Sequence, residues 1–326
     1  MSEFNVLTSV LARKNAHLKD DNIMFIDDGH KYIIATDRET TYTSATTVIH
    51  SHFEKFNPDA VILNMKFSKK WNSSNKYWGK SDEEIKAMWT NAGTTAAHAG
   101  TQLHHRIECF MNGCDVEDEQ PKPYADIQLK KIKIKPKLNV KAKAKAKKET
   151  ETELREDIEN PGVDVTQTHA TLCAKWHDAQ TSDTHLAEWN YFIAFVQHYP
   201  TMVPYRTEWC IYDSDLKIAG SIDIVYDNCD GTHSIYDWKR TKEFEVRSMF
   251  NKKSKTLVLH NSPMPDTNYW HYALQLNLYR HILQTQYGLT IRDLVLIRLS
   301  PDSLSYERVE LPMLDEWIQL IIDLKA

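Results

Sequence analysis

The chain has no run approaching the ~20 apolar residues that a bilayer-spanning helix requires. Its opening, MSEFNVLTSVLARKN, also lacks the basic, apolar and small-residue succession of a secretory signal. Both absences lead us to expect a soluble intracellular protein of the cytoplasm or nucleus, with no membrane partner. Cysteine is scarce, at five in 326 residues. Cys109, Cys114, Cys173, Cys210 and Cys229 form no Cys-x-x-Cys pair, which argues against a zinc ribbon, and the odd count fits free thiols. No Gly-x-x-x-x-Gly-Lys-Ser/Thr loop occurs, so no nucleotide-driven motor is expected within this chain. An excess of positive charge is missing too. With a net charge of −5, attraction to nucleic acid must come from local basic patches rather than from the field of the whole molecule.

What is present is enough apolar material, 41% of residues, for one substantial core with additions. Residues 1–90 read as a folded lead-in, with alternating stretches at His30 to Ile34 and Thr43 to Ile49 and a helix from Pro58 to about Trp71. Ser81 followed by Glu84 is a capping-box signature, with Ile85, Met88 and Trp89 at helical spacing behind it. A second helical run covers about Thr95 to Met111. Between Lys130 and Lys148 there are ten lysines and no acid, after which Glu149 to Glu159 carries six acids. Such charge blocks bury little, so residues 118–167 are expected to be a disordered insertion, serving as a spacer or as a basic arm on DNA phosphates.

A helix from about Thr184 to Tyr199 precedes a β-rich stretch, Arg206 to Tyr212, Ile218 to Tyr226 and Ser234 to Trp238. Asp213-Ser214-Asp215 and Asn228-Cys229-Asp230-Gly231 supply the turns of an antiparallel meander. A long helix from about Tyr269 to Gln286 follows, then strands near Leu294 to Leu299 and Tyr306 to Leu311 and a last helix. Strands bounded by helices on both sides imply an α/β or α+β sandwich.

The chemistry concentrates between Glu208 and Lys242. Period two predicts that Ile222, Ile224 and Tyr226 share one face of a strand and Asp223 the other, and it puts Asp237 and Lys239 on one face about 6–7 Å apart. Unpaired carboxylates brought together in a partly dry site repel, which raises a pKa or demands a cation. Oxygen-rich ligands favour Mg²⁺ or Mn²⁺. Lys239 could then orient and help deprotonate a water, or stabilise charge building on a phosphate. Taken singly, Asp223 reads equally as a salt-bridged acid. Gly220 weighs against that reading, since a glycine inside a strand marks close backbone approach.

Gly220-x-Ile222-Asp223 followed by Asp237-Trp238-Lys239 resembles the catalytic core of the PD-(D/E)XK nuclease superfamily, in its RecB-like, mitochondrial genome-maintenance exonuclease-like branch. Upstream, GTQLHHRIE is similar to that family's Gly-Thr-x-x-His helix through Gly100, Thr101, His104 and Glu108. Downstream, QLNLY is similar to its Gln-x-x-x-Tyr helix through Gln275 and Tyr279. The resemblance covers about Ala92 to Met111 and Tyr205 to Leu299, and extends to similar proteins of large DNA viruses. It implies a restriction-endonuclease-like core with a central mixed sheet flanked by helices, formed by residues 91–117 and 168–326. It further implies a metal held by His104, Asp223 and Asp237, with Lys239, Glu108 and Glu208 completing the catalytic set. Residues Gln275, Tyr279, Thr101, Arg240 and Lys242 would lie against DNA. No cysteine follows Cys229, so the iron–sulfur cluster of some relatives is absent.

The implied activity is hydrolysis of DNA phosphodiester bonds by a metal-activated water in replication, recombination or repair, with exonuclease action on single strands or duplex ends foremost. A structure-selective endonuclease or resolvase and a non-catalytic recombination or packaging factor remain open. His104 and Glu108, at i and i+4, are expected on one helical face. Outside the site, Lys66, Lys69, Lys70, Lys76 and Lys80 alternate with Trp71, Tyr77 and Trp78. That composition suits phosphate attraction with base stacking, and suits equally a solvated helix with core tryptophans.

Overall fold

The computed structural model describes residues 10–26, 28–113, 167–175, 186–248 and 250–325. The sign-reversing insertion expected at 118–167 lies outside these residues, apart from Gln167. Among the described residues no helix is long and apolar enough to cross a membrane, and Cys109, Cys173, Cys210 and Cys229 are all free thiols.

A short helix α1 (Val10–Lys14) and a hairpin of β1 (Ile23–Ile26) and β2 (Lys31–Ile34) precede β3 (Thr43–Ser44). The alternation expected to continue to Ile49 stops at Ser44, whose hydroxyl accepts from Thr47 N and caps α2 (Ala45–Ser51). Here a strong N-cap outweighs the β-propensity of the Thr-Thr-Val-Ile run. Helix α3 (Pro58–Phe67) starts on the Asn57 cap with proline in its first turn and ends at Ser68, short of the expected Trp71. Ser81 and Glu84 form the full reciprocal capping box of α4 (Asp82–Asn112). The two helical runs predicted separately are one 31-residue helix, about 46 Å long. No proline interrupts it, and Gly93 costs only about 1 kcal/mol within a helix. It stops at Gly113, which takes φ 68 and returns its N–H to the last carbonyls.

After α5 (His169–Lys175) and α6 (Leu186–His198), strands β4 (Val203–Asp213), β5 (Ile218–Asp227) and β6 (His233–Lys239) form the antiparallel meander. A second hairpin, β7 (Lys253–Leu259) with β8 (Ser262–Pro265), leads into α7 (Asn268–Gln286), β9 (Ile291–Arg298), β10 (Glu307–Glu310) and α8 (Asp315–Lys325). β9 pairs parallel to β6 and antiparallel to β10, and β3 pairs parallel to the start of β5, so the six-stranded central sheet is mixed.

Helices cover both faces. On one, Ala45, Val48 and Ile49 of α2 and Leu274, Leu278 and Ile282 of α7 pack with Ile218, Ile222, Val225 and Ile235. On the other, Leu103, Ile107 and Phe110 of α4 and Trp189, Phe192 and Phe195 of α6 pack with Ile224, Tyr226 and Trp238. Each of those aromatic rings is at most 1% exposed except Trp238 at 2%, and fully burying such a side chain contributes roughly 2–3 kcal/mol. The chain is therefore an α+β sandwich with a central mixed sheet flanked by helices.

Ile222 belongs to the first core and Ile224 with Tyr226 to the second. The single shared face predicted for these three is thus incorrect. Alternation along β5 breaks around Asp223, opposite a residue of β4 with left-handed backbone, Glu208 at φ 42.

Candidate metal centre

The sheet brings three acids into a row. β4 pairs Thr207 with Ile224 and Trp209 with Ile222, so Glu208 lies opposite Asp223. β6 pairs Tyr236 with Ile224, and the β5–β6 ladder ends there. Asp237 therefore sits beside Asp223 in the first position after the strands part. Directly opposite residues of neighbouring strands project to the same side, so Glu208, Asp223 and Asp237 converge where the ladder opens. Asp223 replaces the lost ladder bond: its Oδ2 accepts from Trp238 N at 2.9 Å.

Helix α4 brings in the imidazole. His104 Nε2 is 3.1 Å from the carbonyl oxygen of Trp238. A carbonyl only accepts, so this nitrogen carries the proton and a neutral His104 presents its Nδ1 lone pair. That Nδ1 lies 3.6 Å from Asp223 Oδ2 and 3.7 Å from Glu208 Oε1. One ligating atom each from His104, Glu208 and Asp223 fall within 4.8 Å of one another. Asn112, at the end of the same helix, accepts from Leu11 N at 3.0 Å and donates to Thr207 Oγ1 at 2.9 Å. It ties the helix to β4 one residue before Glu208. A left-handed non-glycine residue costs about 1–3 kcal/mol, and this anchored neighbour helps to hold Glu208 in that conformation.

Asp237 faces differently. Its carboxylate is 3% exposed and pairs with Lys239 Nζ at 2.6 Å. Among the described residues, its Oδ2 is buried and faces no hydrogen-bond donor other than this ammonium. Lys239 also lies 4.7 Å from the centre of the Tyr272 ring, a cation–π contact. Burial raises the pKa of both Asp223 and Asp237, and the pair's mutual repulsion adds to the effect on Asp237. Burial alone would lower the pKa of Lys239 and of His104. The surrounding carboxylates outweigh it, raising Lys239 and taking His104 to about 9.

Three carboxylates against one ammonium and a neutral imidazole leave a local charge of −2. Protonating His104 removes half of it. A divalent cation between His104 Nδ1 and oxygens of Glu208 and Asp223 would remove all of it, and one nitrogen with hard oxygens suits Mg²⁺ or Mn²⁺. Asp237 Oδ2, buried against the Lys239 ammonium, lies outside that trio. These donors fit a divalent ion, although the ligand trio differs from the one the sequence led us to expect: Glu208 takes the place given to Asp237.

The other sequence candidates divide. Glu108 turns its carboxylate toward His105, 3.9 Å away, and does not join His104. Gln275 donates to the hydroxyl of Tyr279 at 3.0 Å. Tyr279 is only 3% exposed, and its ring packs over Gly220 so closely that a Cβ there would lie 2.4 Å from Cε1. The two motifs therefore meet in the core, which leaves Tyr279 no surface to offer DNA. Arg240 is held by the buried Glu188 at 2.8 Å, Thr101 is exposed with its hydroxyl on Ala97 O, and Lys242 is 87% exposed. Sequence reasoning missed Tyr272, although its place three residues before Gln275 and seven before Tyr279 marks the same helical face.

No family model matches the chain, and no curated protein matches it. Two solved structures are similar over part of it. SSO0001 is 14% identical, over 57% of this chain and 71% of that one, with a TM-score of 0.21. A candidate exonuclease from Eubacterium rectale is 11% identical, over 48% of this chain and 68% of that one, with a TM-score of 0.24. Likenesses of this size carry no functional inference.

Proposed function

We propose that the chain is a divalent-metal-dependent deoxyribonuclease that hydrolyses phosphodiester bonds, acting as an exonuclease in DNA replication, recombination or repair. The observation that carries this reading is the row of Glu208, Asp223 and Asp237 across three strands, with His104 Nδ1 and the Lys239 ammonium at the same opening. The motif resemblance supplies the substrate class and the preference for ends. Glu208, Asp223 and the Nδ1 of His104 would hold Mg²⁺ or Mn²⁺, with Asp237 as a further ligand. Such an ion supplies Lewis-acid polarisation of a phosphoryl oxygen and acidifies water at neutral pH.

The chain's own groups define the remaining roles. The Trp238 carbonyl holds the Nε2 proton of His104, so Nδ1, protonated against Glu208 and Asp223 at neutral pH, is the nitrogen that a divalent ion would take in place of that proton. Lys239, whose pKa is raised, stays protonated. It therefore acts by opposing negative charge that develops on the scissile phosphate, rather than as a base. Asp237 and Tyr272 hold that ammonium in place.

The test is digestion of end-labelled single-stranded and double-stranded DNA with Mg²⁺, Mn²⁺ or chelator, alongside closed circles and Asp237→Ala. Metal-dependent loss of linear label with circles left intact is the expected result. Cleaved circles would replace exonuclease with endonuclease, and digestion that survives in Asp237→Ala would remove the site from the chemistry.

A further inference from the structure

We infer that the loop between α3 and α4, with the first turns of α4, is a binding platform for single-stranded nucleic acid, separate from the metal centre and joined to it by α4. From Lys69 to Lys80 the chain carries four lysines and no acid. Lys69 and Lys70 are exposed, and none of the four makes an ion pair among the described residues. Trp78 is 49% exposed and Phe67 82% exposed. The Trp71 and Trp78 rings are 5.6 Å apart at 53°. Bases stack on such rings only when freed from a duplex, while ammonium groups hold the phosphates between them.

The platform is held in shape rather than loosely displayed. Trp89 Nε1 of α4 donates to the Tyr77 hydroxyl at 2.7 Å. Asn72 and Asn75 close successive turns through their side-chain oxygens. Two of the three acids in the first turn of α4 are engaged, Asp82 with Lys66 and Glu84 with the backbone of Ser81, which leaves Glu83 exposed.

Trp89 and His104 are fifteen residues apart on one helix, about 22 Å. Between them residues 90–98 are exposed on every side, mostly alanine, glycine and threonine, and there is no acid before His104. A helix polar and bare all round has no packing partner along that stretch. A strand seated on the platform could follow it to the carboxylates, crossing about six or seven nucleotides at ~3.4 Å each. This last step rests on the nuclease reading; the binding itself does not.

The test uses full-length Asp237→Asn in chelator, with fluorescein-labelled oligothymidylates of 4 to 20 nucleotides and anisotropy as the readout. Adding Trp78→Ala should weaken binding about fivefold or more, the loss of one stacked base, and Trp78→Phe should restore it. Lys69→Ala with Lys70→Ala should lower the salt slope by about 1.4, from 0.7 per phosphate contact on single strands. Unchanged affinity in Trp78→Ala, an unchanged salt slope, or equal binding of a duplex of the same length would each overturn the platform. Absence of metal-dependent hydrolysis by the unaltered chain, with binding sensitive to Trp78, would overturn the nuclease reading and leave the platform standing. Metal-dependent hydrolysis abolished by Asp237→Asn with binding indifferent to Trp78 would do the reverse.

Discussion

Replacing Gly220 by alanine tests whether the Gly-x-Ile-Asp strand and the Gln-x-x-x-Tyr helix are one packing unit. The new methyl would stand 2.4 Å from Cε1 and 3.0 Å from both Cζ and Oη of Tyr279. Contacts below 3.0 Å do not persist, and the ring has little room to yield because it is 3% exposed and bonded to Gln275. Overpacking of this kind costs about 3 kcal/mol, against a gain of about 0.5–1 kcal/mol for removing a glycine from a strand. The net expectation is a loss of about 2 kcal/mol, read as a lower urea midpoint at unchanged m-value. Tyr279→Ala should by itself cost about 3–5 kcal/mol through the cavity it leaves. In that background Gly220→Ala should become neutral or stabilising, a coupling of about 2 kcal/mol. A Gly220→Ala loss below about 0.5 kcal/mol, or simple additivity with Tyr279→Ala, would refute the packing argument.

Lys239→Gln leaves Asp237 buried without its cation, so stability in chelator should fall by about 2–4 kcal/mol. Mn²⁺ should then raise the melting temperature more than it does for the unaltered chain, and calorimetry with and without metal decides. Asp20 is 14% exposed and receives Arg206 Nη1 at 2.7 Å and Trp209 Nε1 at 2.9 Å. Asp20→Ala should cost about 3–5 kcal/mol by stranding a buried guanidinium, measurable by urea denaturation. His169 is fully buried against the Tyr226 hydroxyl, 3.0 Å from Nε2. Burial lowers its pKa to about 4, with the Tyr199 and Val196 carbonyls only partly offsetting. Between about pH 6.5 and 4 the unfolded chain binds the extra proton, so this group's contribution is complete above pH 6.5 and about 3 kcal/mol is lost as pH falls to 4. His169→Gln should flatten that part of the stability profile, and an unaltered slope would exclude His169 as its source.

The elements carrying the candidate site were legible because each rests on a short-range rule. The capping box at Ser81 and the turn residues at Asp213 and Asn228 act locally. What escaped depends on tertiary context. Ser44 ended a β-like run because a cap formed one residue before it would have continued. Glu108 shares a helix with His104, but its carboxylate has a nearer partner in His105. The motif resemblance implied a nucleic-acid contact for Tyr279, and only the missing Cβ of Gly220 shows why its ring is drawn inward.

The break in alternation at Asp223 was the least legible feature and has the largest consequence. A regular β5 would keep Ile222 and Ile224 in one core and carry the β5–β6 ladder past Asp237, its backbone groups satisfied strand to strand. In this chain the ladder ends one pair earlier, and the carboxylate of Asp223 takes the amide of Trp238 while the carbonyl of Trp238 takes His104. Both backbone groups of one residue are thus satisfied by candidate ligands. Parting the strands leaves the Trp238 amide and carbonyl no unsatisfied polar group, and the same hydrogen bonds aim the acid and the imidazole at one point. Asp223→Ala should on this argument do more than remove a ligand. It leaves the buried Trp238 amide unpaired, at about 1–3 kcal/mol, so the variant should lose stability even in chelator. Asp223→Asn, which keeps an acceptor, should lose metal affinity while retaining most of that stability.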